Sequence, residues 1–256
     1  WESSSPSSIF TPMMPFSPKP PTPSWMRPAG LSKTHTITLD GVGFVPHLSG
    51  ALYAPAHKAL LVADLHLEQG SALARRGISV PPFDTAITLA LLEQVIAETA
   101  PERLLLLGDS FHDDAGHAEI DPGHIIRVRT ITERIDTVWI SGNHDPSPKP
   151  ALGGRHAEAI FLGPITLRHD PTRKPKAAEI AGHLHPGAGV VQRGHMVRGK
   201  CFVSDSRRII LPAFGAYTGG MSVRTAAFDG LFDKERASVI LLAREKMYRF
   251  PYERVS

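Results

Sequence analysis

Four apolar runs of strand length, each ending in a polar motif, are the strongest constraint on how this chain folds. Ala59-Leu60-Leu61-Val62-Ala63 leads into Asp64-Leu65-His66, and Leu104 to Leu107 leads into Gly108-Asp109. Thr137-Val138-Trp139-Ile140 ends at Gly142-Asn143-His144-Asp145, and Ala178-Glu179-Ile180-Ala181 ends at Gly182-His183-Leu184-His185. A fifth motif, Arg168-His169-Asp170, closes the run Ile165 to Leu167. Continuous apolar runs mark strands buried on both faces, and sheets flanked by helices bind ligands at the carboxyl ends of their strands. In an extended chain residues i and i+2 share a face. Asp64 with His66, and His183 with His185, are therefore expected to converge in pairs.

Taken singly, each motif has an ordinary reading. Gly-Asp is a turn signal, and Asn-His after Gly suits a turn that tolerates left-handed backbone. A lone His169 reads as a satisfied or solvent-facing histidine. The Gly-His-x-His pair is the most specific piece. Their joint occurrence, each closing an apolar run, supplies aspartates, an asparagine and histidines enough to hold two divalent ions side by side. Paired ions are a device for breaking phosphoester bonds.

The order and spacing of these motifs resemble the calcineurin-like metallophosphoesterase superfamily over roughly residues 36–220. The resemblance implies an α/β fold, a four-layer α/β/β/α sandwich of two mixed sheets with helices outside and metals on loops at one edge. It implies one ion held by Asp64, His66 and His185 and another by Asn143, His169 and His183, with Asp109 bridging the two. His144 corresponds to the histidine placed near the leaving group, so His144, Asp109 and Asn143 form the implied catalytic set. Asp64-Leu65-His66-Leu67-Glu68-Gln69-Gly70-Ser71, Arg76-Gly77, Pro81-Pro82-Phe83-Asp84-Thr85, Thr88-Leu89 and Leu211 to Gly220 resemble a narrower branch, the ligase-associated DNA-damage-response endonucleases. That branch implies a DNA substrate and an association with a DNA ligase and a helicase. Where many superfamily members carry Gly-Asp-x-x-Asp-Arg, this chain has Gly108-Asp109-Ser110-Phe111-His112-Asp113, which speaks against a protein-phosphatase role. His112 and Asp145 are candidates for bracing a ligand or touching substrate. Bracing is favoured for His112, because metal ligands need partners of their own.

Motifs spread from residue 64 to 185 must meet, so residues 35–256 read as a single metallophosphoesterase domain, and 42% hydrophobic residues suffice for its core. Residues 1–34 hold eight serines and eight prolines with no helical or strand period and read as a disordered tail. They lack a cationic start followed by an apolar stretch, so no secretory signal is expected. The chain begins with Trp1, which reads as a fragment or an upstream-extended translation with Met26 as the natural start. The single cysteine, Cys201, excludes an intrachain disulfide and fits a reducing, cytoplasmic setting. It falls in a strand-like run, Lys200 to Val203, as a small core residue. No apolar run approaches the ~18 residues of a membrane span. Alternation from His35 to Leu52 with a turn at Asp40-Gly41 predicts a hairpin. Helices are predicted over Phe83 to Thr99 and from Asp121 or Pro122 to about Ile135. Strands are predicted at Ile160–Leu162, Ile165–Leu167, Ile209–Leu211 and Ala237–Ala243.

The formal charge of +3 is modest, and Lys19, Arg27 and Lys33 against Glu2 place +2 of it in the tail. From Arg168 to Arg208, nine lysines and arginines stand against three acidic residues. A solvated strand face accounts for such a run; so does a basic margin for a phosphodiester backbone, with Arg173, Lys174 and Lys176 as the DNA-contact candidates. No aromatic-interleaved ladder supports base-specific reading. Oxygen and imidazole donors without thiolate favour two Mn2+ ions, with Zn2+, Fe2+ and Co2+ as alternatives. The leading expectation is a dinuclear-metal phosphodiesterase, a single-strand DNA endonuclease of DNA repair. A nucleotide phosphohydrolase or phosphomonoesterase, and a non-catalytic binding module on the same fold, are the alternatives.

Overall fold

The computed structural model describes residues 35–114, 116, 120–147, 150–192 and 194–256. The expected disordered tail lies outside the described residues. The chain opens with the predicted hairpin, β1 (Ile37–Leu39) against β2 (Val42–Pro46). Asp40 at φ 46 and Gly41 at φ 78 form its two-residue turn, whose twist matches that of the strands. β3 (Leu52–Ala54) and β4 (Ala59–Val62) continue antiparallel. From β4 onward the strands β5 (Arg103–Leu107), β6 (Asp136–Ile140) and β7 (Arg155–Ala157) run parallel, in sequential order across a seven-stranded sheet.

Parallel neighbours need crossovers, and these carry the helices α1 (Gln69–Arg75), α2 (Asp84–Thr99) and α3 (Pro122–Thr132). α2 and α3 lay Leu89, Leu92, Val95, Val128 and Ile131 on Leu60, Val62, Leu104, Leu106 and Trp139 of one sheet face. α3 starts at the expected cap, where the Asp121 carboxylate accepts from the Gly123 amide at 2.7 Å. It ends at Thr132, three residues before the expected limit, because Glu133 to Ile135 turn the chain into β6.

The second sheet comprises β8 (Ala159–Leu162), β9 (Ile165–Arg168), β10 (Glu179–Ala181), β11 (Pro186–Gln192), β12 (His195–Ser204), β13 (Arg208–Ile210), β14 (Met221–Ser222), β15 (Ser238–Leu242) and β16 (Met247–Pro251). Its main path is β14-β11-β12-β13-β10-β9-β8, with β15 and β16 added against β12. β9, β10 and β13 are parallel. Leu61, Leu105, Leu107, Val138 and Ile140 of the first sheet pack on Leu167, Ile180, Phe202, Ile209 and Ile240 of the second, forming the central core. The strands carrying the motifs are thus apolar on both faces, as their sequences require.

Two mixed sheets with helices outside are the expected α/β architecture, and the second sheet has an outer cover of its own. Among the described residues it is built from the 3-10 turns Ala226–Phe228 and Tyr252–Arg254 and their flanks, with Phe228, Leu231, Phe232 and Tyr252 over Cys201, Val203, Val239 and Leu241. Asp229 in extended backbone and Gly230 at φ 73 stop the first turn from growing into a helix. Cys201 is a buried core residue, and burial pushes its thiol pKa well above the usual range. Among the described residues no helix is long and apolar enough to cross a membrane.

Candidate metal centre

Because β4, β5 and β6 are parallel, and β9 and β10 are parallel, all five motifs emerge at strand carboxyl ends. Asp64 and His66 converge on one donor set, whereas His183 and His185 go to different sets, and neither pair lies in extended strand. β4 ends at Val62, and Asp64 (φ 55) and His66 (φ 43) both occupy left-handed backbone, as do His183 (φ 68), His185 (φ 44) and Asp109 (φ 47). The Asp64 amide donates to Gly108 O at 3.1 Å and the His66 amide to Asp109 O at 2.9 Å, so one loop templates the other. Such backbone costs about 1–3 kcal/mol per residue and persists where surrounding contacts enforce it. Two glycines clear the space. Gly108, at φ 80, passes against the His169 ring, and a Cβ on Gly142 would fall on the Asp109 carboxylate and amide.

Two donor sets result, and they share Asp109. Asp64, His66, Asp109 and His185 form one; Asp109, His169 and His183 form the other. His66 Nε2 stands 3.2 Å from His185 Nε2, and His185 Nε2 stands 3.3 Å from Asp64 Oδ1. In the second set His169 Nε2 lies 3.3 Å from Asp109 Oδ2, 3.1 Å from His183 Nδ1 and 2.9 Å from Asn143 Oδ1. An ion that binds imidazole at about 2.1 Å spaces its donors by roughly 3.0–3.4 Å, so both sets fit divalent cations. His169 Nδ1 donates to Leu107 O at 3.0 Å, which turns Nε2 and its lone pair toward the cluster. Asp64 accepts the His183 amide at 3.0 Å, tying the two sheets together at the site.

Electrostatics follow from burial and convergence. Burial, then the charge of His185, drives the His66 pKa down to about 3. Burial opposes charge on Asp109, yet its hydrogen bond and ion pair with His169 and the His144 amide hold it down at about 2. Burial also works against a charged His169, but Asp109 and Asp64 outweigh it and raise that imidazole to about 9. A proton on His169 therefore occupies part of the cation space between it and Asp109. Burial and the neighbouring His169 charge lower His183.

His144 presents its amide to Asp109 Oδ1 at 2.9 Å, and its Nδ1 donates to His112 O at 2.7 Å. Its Nε2 is left for chemistry. His112 lies with its ring 5.4 Å from His144 and 5.3 Å from His66, forming a third imidazole group beside the paired set. Its carbonyl braces His144, while its own Nδ1 is buried without a partner among the described residues. Asp145 accepts the Ser110 and Phe111 amides at 3.0 and 3.1 Å and so holds the loop that carries Asp109.

The basic candidates are not brought to this centre. Arg173 donates to Asp229 O, and the segment then reaches Pro175, whose carbonyl accepts from Arg207 beside the amino end of β13. Arg173, Lys174 and Lys176 therefore accompany the segment that returns to the far end of the second sheet. Arg208, also part of the basic run, is a buried ion-pair partner of Glu179 at 2.9 Å.

The sequence reading missed Lys200. Its buried ammonium donates to Ala213 O and Gly215 O, each at 2.8 Å. The amides of Phe214 and Gly215 in turn reach Ala63 O and Asp64 O, so Lys200 holds the strap that shapes the Asp64 turn. Burial lowers it to about 8. The available signal was a lysine inside the otherwise core-forming run Lys200 to Val203.

This two-sheet core with imidazole and carboxylate donors converging at its strand ends defines a metal-dependent phosphoesterase, a hydrolase of ester bonds. A solved structure, the nuclease MPE of Pseudomonas putida, is similar to it at 31% identity and a TM-score of 0.65, covering 84% of this chain and 99% of that one. The chain belongs to that metallophosphoesterase-type nuclease family. YfcE, a phosphoesterase from E. coli, matches at 16% identity over 76% of this chain and 98% of its own, with a TM-score of 0.35, too loose a superposition to bear on the site. No family model and no curated protein sequence matches the chain.

Proposed function

We propose that the protein is a phosphodiesterase of nucleic acid that works with two divalent ions, Mn2+ foremost, and cuts single-stranded DNA internally during repair in the cytoplasm, in functional association with a DNA ligase and a helicase. The observation that carries this reading is Asp109, whose carboxylate belongs to both donor sets. Similarity to the Pseudomonas putida nuclease supports the polymer substrate. Asp64, His66, Asp109 and His185 would hold one ion, and Asp109, Asn143, His169 and His183 the other. When bound, the pair supplies Lewis-acid activation of water and of the phosphoryl oxygens.

The chain's own residues do the rest. Asp109 Oδ1 fixes the His144 backbone through its amide, and the His112 carbonyl takes the His144 Nδ1 proton in a hydrogen bond. His144 is therefore oriented at both ends, and protonation places its second proton on Nε2, available to the leaving-group oxygen. The test is hydrolysis of a circular single-stranded DNA by metal-reconstituted protein. Linear products are expected with Mn2+ and none with chelator. A circle left intact while nucleotides or aryl phosphates are hydrolysed would replace this reading with a phosphohydrolase one.

A further inference from the structure

Between α1 and α2, residues 76–83 read Arg-Gly-Ile-Ser-Val-Pro-Pro-Phe, with no acidic side chain. α2 ends beside Arg103, the amino start of β5, so its other end, at Phe83, sits at the strand carboxyl edge where the donor sets lie. Local bonds hold it there. The Glu68 amide, two residues after His66, donates to Thr85 Oγ1 at 2.8 Å, and the Gly70 amide donates to Asp84 Oδ2 at 3.0 Å. Tyr217 donates its hydroxyl to Pro81 O at 2.8 Å from the other side. Asp84 and Thr85 are thus buried and engaged, whereas the Phe83 ring beside them is 60% exposed and Ile78 52% exposed.

A cation precedes this apolar pair at the carboxyl end of α1. Arg75 is paired with Asp113. Asp113 directly follows His112, so this pair sets the end of α1 beside the His112 corner, where the next residue, Arg76, is exposed and makes no ion pair among the described residues. An anionic chain that leaves the His144–His112 corner past Asp113 thus has, on one connection, an exposed guanidinium and an exposed aromatic ring. Phosphate on a cation with a base on an aromatic face is how single strands are held without sequence reading.

We infer that a single-stranded nucleic acid runs from the metal centre over the carboxyl end of α1, with Arg76 on a backbone phosphate and an unpaired base stacked on Phe83. This path rests on the nuclease reading above. A duplex keeps its base faces covered, so the Phe83 contact selects single strands.

The experiment compares kcat/KM on circular single-stranded DNA, on duplex DNA and on a small aryl phosphodiester. Phe83→Ala should lower the value on single strands by roughly 5–100-fold, through KM, as loss of one stacked base does. It should leave the duplex and the aryl diester unchanged, and Phe83→Trp should restore the single-strand value. Arg76→Ser should reduce the log–log salt slope on single strands by about one. Loss of equal size on all three substrates would mean local damage and overturn the path. Unchanged cleavage of single strands by Phe83→Ala would overturn it too, while leaving the nuclease reading intact. Wild-type protein that hydrolyses the aryl diester but no nucleic acid would fail the nuclease reading itself, and the path with it.

Discussion

At the scale of single residues, the proposed function separates groups that would hold a cation from a group that would serve the leaving oxygen. Asp109 is the carboxylate common to both donor sets, so Asp109→Ala should strip bound metal and activity together. His144 touches Asp109 only through its backbone amide, and its ring is braced by the His112 carbonyl. His144→Ala should keep metal content while slowing turnover by ~10²–10⁴-fold, the range of general acid–base groups. Elemental analysis beside kinetics distinguishes the two, and metal loss in His144→Ala would refute its assigned role. A pH effect follows from His169, raised to about 9 by Asp109 and Asp64 against the effect of burial. In the metal-free protein that proton stabilises the fold fully below the unfolded value near ~6.5. The contribution is lost as pH rises through about 9. A metal ligand must be neutral, so an incoming ion has to displace the proton. Metal affinity should climb with pH up to about 9, with release of close to one proton from this residue. His66, already neutral above about 3, contributes none. Calorimetry in buffers of different ionisation enthalpy measures the release, and a null result at pH 7 would contradict the pairing of His169 with Asp109.

At the scale of elements, the apolar runs disclosed β4, β5, β6 and β10 because parallel strands buried on both faces carry little polar signal to confuse the pattern. The Asp40-Gly41 turn and the Asp121 cap were legible because their chemistry is local. What stayed hidden was non-local. The i, i+2 rule pointed to the right partners for Asp64 and His66, but through extended backbone. The left-handed conformations come from the Gly108–Asp109 loop beside them, which no local pattern encodes. Lys200 was hidden for the same reason, since its partners are carbonyls 13 and 15 residues away. The segment Arg173 to Lys176 shows the limit of charge counting. Its contacts run to Asp229 and to Arg207 at the amino end of β13, about 10 Å of strand away from the motif edge. That distance is about one Debye length at physiological salt. Replacing Arg173, Lys174 and Lys176 with Ser should therefore change DNA cleavage by less than about twofold at 0.15 M salt. A large loss on DNA alone would restore the basic margin as a binding surface.

At the scale of the whole molecule, the centre is a joint between two sheets. The first contributes Asp64, His66, Asp109 and Asn143, and the second contributes His169, His183 and His185. Only the folded chain brings these donors within reach of one another, since His66 and His185 are 119 residues apart in sequence yet 3.2 Å apart in the fold. An ion that binds this assembled set and not the unfolded chain stabilises the fold by mass action, about 2.7 kcal/mol at a hundredfold excess over Kd. For a chain of this size each kcal/mol moves Tm by roughly 2–4 °C. Saturating Mn2+ should accordingly raise Tm by about 5–10 °C per ion, and chelator should reverse the shift. The glycine-lined loops and the strap held by Lys200 remain in Asp109→Ala, so that variant should fold and yet respond to Mn2+ far less. Equal shifts in the native protein and in Asp109→Ala would show that the stabilising ion sits elsewhere. No shift in the native protein at millimolar Mn2+ would mean that the donors converge without holding the ion, because a cation bound across the two sheets must resist their separation.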